Sequence, residues 1–384
     1  MFFLRTSASA LLGLAFLSAC HEKVDDAITP APPKPTVVVT NWAARADSAQ
    51  AALNRSFWAP TDQYYLQNNL GKPDFNYWWQ AHGLDVLLDG YQRTKVVDYM
   101  TKMQQLQQGT KKKNGNTYLN NFYDDMAWQA LANLRAFQIT QDPSYKATAT
   151  LLWADLKTGW NTNQGGGIAW KKDQLDYKNT PANAPVAILG ARLYQLDRNP
   201  DDLAWATKIY DWEKKNLVDA TTGAVWDGLN RQGNGQVDKD WRFSYNQGVF
   251  LGAGLELFHA TQQSSYLDDA NRTAGYVLND SQLAPGGVLK DEGGGDGGLF
   301  KGILVRYLAQ LATDPAVAAA TRARYVSFLK FNGESLYKQG MSRPQYLFNT
   351  NWTAQPGGTV DGSAQLSGVM MFEIMADLQA RKLL

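Results

Sequence analysis

Twelve helix-length segments, separated by Gly, Asn and Pro, follow one another after residue 40, and they alternate between two kinds. Segments of the first kind, such as "NWAARADSAQAALNRSF" and "DDLAWATKIYDWEKKNL", carry one apolar stripe and a charged face, the pattern of a helix with one side in water. Segments of the second kind include "YDDMAWQALANLRAF", "NQGVFLGAGLELFHAT" and "GSAQLSGVMMFEIMADLQ". They open with amides, glycines, aromatics or charges and then become apolar on most faces, as buried helices do. Gly, Ala and Ser recur in them and permit close helix packing. The buried segments start near Asn76, Asp124, Asn183, Asn246, Gly298 and Gly362, roughly 50–65 residues apart, so the repeating unit is one outer and one inner helix. Six such pairs predict an all-α fold, an (α/α)6 barrel over residues 39–384. Beyond "TVVVT" no β-branched alternation predicts a strand. All inner helices then run the same way, and their polar, aromatic-rich starts gather as six positive helix ends at one mouth. An open solenoid of helical hairpins is the alternative, and it does not require special residues at every second helix start.

At one of those starts, "NNFYDDMAW" places Asp124 beside Asp125. Adjacent carboxylates repel, and burying either is costly unless it is paired. Asp is also a favoured helix-cap and first-turn residue, which is the plain structural explanation. Here the pair is flanked by Phe122, Tyr123 and Trp128 rather than by solvated residues, with Asn120 and Asn121 adding hydrogen-bonding groups. Two neighbouring carboxylates opening into one cleft suit glycoside hydrolysis, which needs one ionised group and one that holds a proton. The helix N-terminus is expected to lower the first pKa, and the negative neighbour plus burial to raise the second. This does not say which Asp plays which part.

The aromatic content points to the ligand. Thirteen Trp and 18 Tyr cluster in "NYWW" (Tyr77, Trp78, Trp79), around Trp170, in "DWRFSYNQG" (Trp241, Phe243, Tyr245) and at Phe300. Flat rings stack on the apolar faces of sugars, although part of this set is expected in the core. Trp79, Asn121, Tyr123, Trp128 and Trp170 are the candidate sugar contacts near the pair. His82 is balanced between a ligand contact and a core histidine. Lys301 follows glycines at a helix start, an odd place for a solvated lysine, and is assigned to the site. "GGGDGG" lacks the strand and acidic partner of a dinucleotide loop and reads as a surface loop over the mouth. A net charge of +1 offers no field for nucleic acid. Three scattered histidines and one cysteine build no local zinc motif, so neither metal nor cofactor is expected.

That cysteine, Cys20, ends "MFFLRTSASALLGLAFLSAC", with Arg5 before a short apolar run and small residues before Cys. The run is too short for a permanent membrane span and reads as a signal peptide. The ending resembles a bacterial lipobox, which implies that residues 1–20 are a lipoprotein signal with Cys20 lipidated. Residues 21–38, charged and Pro-rich, read as a tether. The expectation is a monomeric cell-envelope protein, an outer-membrane lipoprotein facing the periplasm or the outside.

"YDDMAW", "GGGIAW", "KNTPANAPVAILGARLY", "YNQGVFLGA", "LFKGILVRYL" and "AQLSGVMMFEIM" together resemble the motifs of glycoside hydrolase family 76, in the right order from about Asn41 to the C-terminus. The resemblance implies an (α/α)6 barrel and a retaining endo-α-1,6-mannanase acting on α-mannan. It implies Asp124 as nucleophile and Asp125 as acid/base. It also implies that Asn183, Tyr245, Asn246, Gln247, Phe300 and Lys301 line the site. Two alternatives stand beside it. One is a glycan-binding helical lipoprotein without hydrolysis, which does not need both aspartates. The other is a barrel glycosidase or lyase for acidic sugars, for which the candidate mouth supplies only Lys301 and Arg306 as cations.

Overall fold

Every one of the twelve segments is helical. The computed structural model describes residues 40–384. In chain order the helices are α1 (Trp42–Phe57), α2 (Tyr77–Thr94), α3 (Asp98–Lys113), α4 (Tyr123–Thr140), α5 (Pro143–Lys157) and α6 (Thr180–Asp197). They continue as α7 (Pro200–Leu217), α8 (Ser244–Thr261), α9 (Ser264–Asn279), α10 (Gly297–Thr313), α11 (Ala319–Lys338) and α12 (Gly362–Ala380). Local chemistry sets the outer helices. Asn41, Asp142 and Asn199 cap α1, α5 and α7 through their side chains, and α5 and α7 open with proline, whose missing N–H is harmless there. The even-numbered helices are buried nearly all round; in α8 every residue from Ser244 to Leu257 is buried.

The even helices form a closed ring in which each packs on the next and α12 returns to α2. Ring closure excludes the open solenoid. The tight hairpins are inner-then-outer, rather than the outer-then-inner pairs expected from the sequence. The inner helices α2, α4, α6 and α8 each end on a left-handed residue, namely Lys95, Gln141, Arg198 and Gln262. The N–H of each returns to the carbonyl of an aromatic residue four positions back, at 2.7–2.8 Å. The outer helix starts two or three residues later, which forces an antiparallel neighbour. This leaves α1 to pair with α12. The Trp42 N–H donates to Gln379 Oε1 at 2.8 Å, and its ring meets Phe372 edge-on at 5.4 Å.

The outer-to-inner connections are long and lie at the mouth. They carry short strands that the sequence reading missed: β1 (Trp58–Ala59), β2 (Tyr64–Tyr65), β3 (Ala169–Lys171), β4 (Gln174–Asn179) and β5 (Gly228–Leu229). β1 pairs antiparallel with β2, and β3-β4-β5 form a second antiparallel sheet. Strands of two or three residues such as β1, β2, β3 and β5 cannot display a period-two pattern, and the six residues of β4 do not alternate, its last three being buried in succession.

The small residues of the inner helices do what their pattern predicts. A Cβ at Gly248 of α8 would stand 2.7 Å from the Leu304 Cα of α10, and one at Gly302 would stand 2.8 Å from the Ser367 Cα of α12. Backbone cannot swing aside as a side-chain tip can. Gly248→Ala is therefore expected to destabilise by about 1–3 kcal/mol despite alanine's better helix propensity. Gly275→Ala on outer α9, with open space around the new methyl, should instead stabilise by about 0.5–1 kcal/mol. Urea midpoints of the two variants test this, and equal shifts would contradict the packing argument.

Candidate active site

The starts of five inner helices converge on a cleft of about 790 Å³. The sixth, α12, was expected to contribute but does not. Its N-terminal Gly362 N–H bonds the Gln67 carbonyl, and its cap residue Asp361 accepts the Gly295 N–H at 2.7 Å. The glycine-rich loop expected over the mouth thus covers that helix end.

Asp124 and Asp125 occupy the first turn of α4, half-buried on the cleft wall. Neither is the cap. Phe122 holds that position and offers no capping side chain, so the doublet is not a cap, while both aspartates keep the first-turn place that the plain explanation also allowed. The two carboxyls differ in their partners. Asp124 Oδ1 accepts the Asp125 N–H at 2.9 Å, and Oδ2 accepts the Trp170 indole N–H at 3.0 Å. The Asp125 carboxyl takes no hydrogen bond from a described residue. Burial pushes Asp124 up to about 7, against the two hydrogen bonds that favour its ionised form and with added repulsion from Asp227. Burial, then the charges of Asp124 and Asp296, push Asp125 well above the ordinary carboxyl range. The expected lowering of the first pKa by the helix end does not occur, because loss of water outweighs it. The residues alone left open which Asp is which; the two donors to its ionised form make Asp124 the easier to ionise.

Two further carboxylates line the cleft, and the sequence reading assigned neither. Asp227, just before β5, is buried. Its Oδ1 accepts from the Tyr245 hydroxyl (3.0 Å) and Asn246 Nδ2 (3.1 Å), and its Oδ2 from the Tyr177 hydroxyl (3.1 Å). The only local sign is a charged residue inside the apolar run "AVWDGL". Asp296, at the cap position of α10, accepts the indole N–H groups of Trp78 and Trp79. Aromatic faces complete the walls. Trp78, Trp128, Trp170 and Trp241 line them, with Trp170 bonded to Asp124, and the Tyr245 and Phe300 rings stack at 3.9 Å.

Of the residues assigned from sequence, Asp124, Asp125, Trp128, Trp170, Tyr245 and Phe300 line the cleft. The others do not line it. The Trp79 ring is buried, and only its N–H reaches Asp296. His82 lies beneath the cleft floor, 5.5 Å from the Trp78 ring and 5.1 Å from that of Trp128. Burial drives its pKa down to about 3, so it is a neutral core imidazole. Tyr123 is buried, with its hydroxyl against Thr158 Oγ1. Asn121 is exposed; its side chain hydrogen-bonds Asp173 and its carbonyl accepts the Lys172 N–H, holding the end of β3 beside α4. Buried Asn246 serves Asp227. Lys301 is wholly buried. Its ammonium donates to the carbonyls of Lys290 and Thr350, and desolvation lowers its pKa to about 8. Arg306 is partly buried against Asp89 far along α10, and among the described residues the one lining cation is Arg231.

Asn183 and Gln247 belong to a device that recurs around the ring. At the fourth position of four inner helices, a buried amide grips the backbone of the chain outside the inner helices, in three of them through both peptide groups of a single residue. Asn183 accepts the Ile168 N–H and donates to its carbonyl; Gln247 does the same to Val225. Gln80 grips Tyr65 in this way, and Gln365 accepts the Phe348 N–H while donating to the Tyr346 carbonyl. Only an amide offers a donor and an acceptor in the geometry of a peptide.

The family model of glycosyl hydrolase family 76 matches residues 41–382. The solved GH76A α-1,6-mannanase of Salegentibacter sp. HEL1_6 is 45% identical at a TM-score of 0.85, over 88% of this chain and 99% of that one. An inactive variant of that enzyme, with asparagine in place of two consecutive aspartates, is in complex with α-1,6-mannotriose. The Lin0763 protein of Listeria innocua is 39% identical at a TM-score of 0.83, over 89% of this chain and 99% of that one. The mannan endo-1,6-alpha-mannosidase DCW1 of Candida glabrata is 29% identical over 222 residues, 52% of this chain and 50% of that protein. The chain spans about half the length of the curated relatives it matches.

Raised carboxyl pKa values carry a stability cost with a definite sign. Unfolded, both aspartates ionise near pH 4; folded, they resist ionisation, so stability falls as pH rises from about 4 through 7. Asp124→Asn and Asp125→Asn are expected to be more stable than wild type at pH 8 by about 1–2 kcal/mol, with the gap closing toward pH 4. Thermal melts at the two pH values check this; Asn variants less stable at pH 8 would mean the carboxylates are well paired.

Proposed function

The chain belongs to glycosyl hydrolase family 76, and on that premise we propose that it is a retaining endo-α-1,6-mannanase working through Asp124 and Asp125. The observation that carries the reading is the unequal hydrogen bonding of the pair. Asp124, held by two N–H donors, is the carboxylate that attacks the anomeric carbon. Asp125, undonated and surrounded by like charge, keeps its proton and gives it to the departing glycosidic oxygen. The glycosyl group is then an ester on Asp124. Asp125, now ionised, takes a proton from water; that water attacks the anomeric carbon and releases Asp124 as a carboxylate. Two displacements on opposite faces restore the starting configuration.

The walls support a neutral chain as substrate. Among the described residues four acidic side chains against one arginine line the cleft, a balance that disfavours an acidic polysaccharide and argues against the lyase alternative even with Asp125 protonated. Indole and phenyl faces favour sugar rings. The cleft runs past the pair to Arg231, stacked 3.8 Å over the half-exposed Trp241. A volume of this size suits a segment of several sugars, as an endo-acting enzyme requires. Action as a monomer is part of the proposal. Cys20 and the tether lie outside the described residues; lipidation at Cys20 and an envelope location are part of the proposal, supported by the lipobox pattern.

Debranched α-1,6-mannan should yield oligomannosides with wild type, and Asp124→Asn and Asp125→Asn should each lose at least about a thousandfold in rate. Proton NMR of the first products should show the α anomer; first appearance of the β anomer would refute retention, and mannan binding without products would leave a receptor. In a bacterial host, fatty-acid labelling should reach the wild-type chain and not Cys20→Ser. Equal labelling of both would refute the anchor.

A further inference from the structure

Asp296 faces the pair from across the ring. In the order α2-α4-α6-α8-α10-α12, α4 and α10 stand opposite one another, and Asp296 opens α10. One oxygen, Oδ1, accepts the Trp78 indole N–H at 3.0 Å and the Trp79 indole N–H at 2.9 Å. Side chains of consecutive helical residues diverge by about 100°, so a shared acceptor fixes both rings at once. Trp78 in turn lies 6.2 Å from the ring of Trp128, one helical turn beyond Asp125. Asp296 is exposed to the cleft, and no described lysine or arginine forms an ion pair with it.

We propose that Asp296 is a positioning residue for the acid/base, a fixed negative charge, held by two indoles, that sets when Asp125 gives up and takes back its proton. The inference rests on the functional reading above. Its force comes from the second displacement. While the sugar is esterified to Asp124, that carboxylate carries no charge, and its repulsion of Asp125 vanishes. Asp296 is not consumed. It keeps Asp125 basic enough to take a proton from the attacking water. Among the described residues, the titratable groups that interact with Asp125 are Asp124 on its own helix, the Tyr77 phenol on α2, which burial and Asp125 keep protonated, and Asp296. Asp227 acts on Asp124.

Asp296→Asn retains an oxygen for the indoles and removes the charge; Asp296→Glu retains the charge. Two readouts are compared with wild type: the pH profile of α-1,6-mannan hydrolysis, and the titration of the Asp125 carboxyl by ¹³C NMR, identified through Asp125→Asn. In Asp296→Asn, the alkaline limb and the Asp125 midpoint should both move to lower pH by about one pH unit, while Asp296→Glu stays near wild type. Asp296→Ser, a second charge-free variant, must move the midpoint the same way, and serves if Asp296→Asn does not fold. An unmoved Asp125 midpoint overturns the proposal whatever happens to kcat, leaving Asp296 as a clamp on the indoles. If wild type cleaves no α-1,6-mannan while the midpoint still moves, the substrate reading fails and the charge coupling stands.

Discussion

Four buried amides hold the mouth of this barrel in place. Long loops at the ends of short helices have few ways to satisfy their peptide groups away from water, and an unsatisfied peptide in a core costs about as much as a lost hydrogen bond. Gln80, Asn183, Gln247 and Gln365 answer this on α2, α6, α8 and α12. Each is almost wholly buried, where such bonds are strongest. The grip is placed where it matters for chemistry. Ile168, held by Asn183, lies two residues before Trp170, which bonds Asp124. Val225, held by Gln247, lies two residues before Asp227. Inner helices thus position loop residues, and loop residues position the pair.

The two ends of the barrel treat charge in opposite ways. At the far end Arg135 pairs with Asp85 and Asp89, Arg306 with Asp89, and Arg192 with Glu256. These are partly buried ion pairs in which each charge has a counter-charge, and they hold the carboxyls of Asp85 and Asp89 below the usual range, against a desolvation penalty that raises them. At the mouth Asp124, Asp125, Asp227 and Asp296 share a cleft with Arg231, the one lining cation among the described residues. Hydrogen-bond donors there replace counter-ions, as Tyr177, Tyr245 and Asn246 do for Asp227 and the indoles for Asp296. Donors steady a carboxylate without cancelling its field, so repulsion remains to separate the protonation states of the pair. The buried, neutral His82 lies between the two ends and adds no positive charge to either.

The sequence alone determined the twelve helices, which of them are inner, and the pair with its flanking rings. Those properties are written in short stretches: an apolar stripe or an all-round apolar surface, and two aspartates at a helix start beside Trp128. Only the tertiary structure decided which polar groups face the cleft and which hold it up. Asn183, Gln247 and Lys301 sit at helix starts just as Asp124 does, yet their partners Ile168, Val225 and Lys290 lie 11 to 22 residues away in loops without pattern. Asp227 and Asp296 become site residues only when the ring closes and brings β5 and α10 to the same cleft as α4. A side chain's direction at a helix start depends on what the neighbouring loop offers it, and that offer is made by residues distant in sequence.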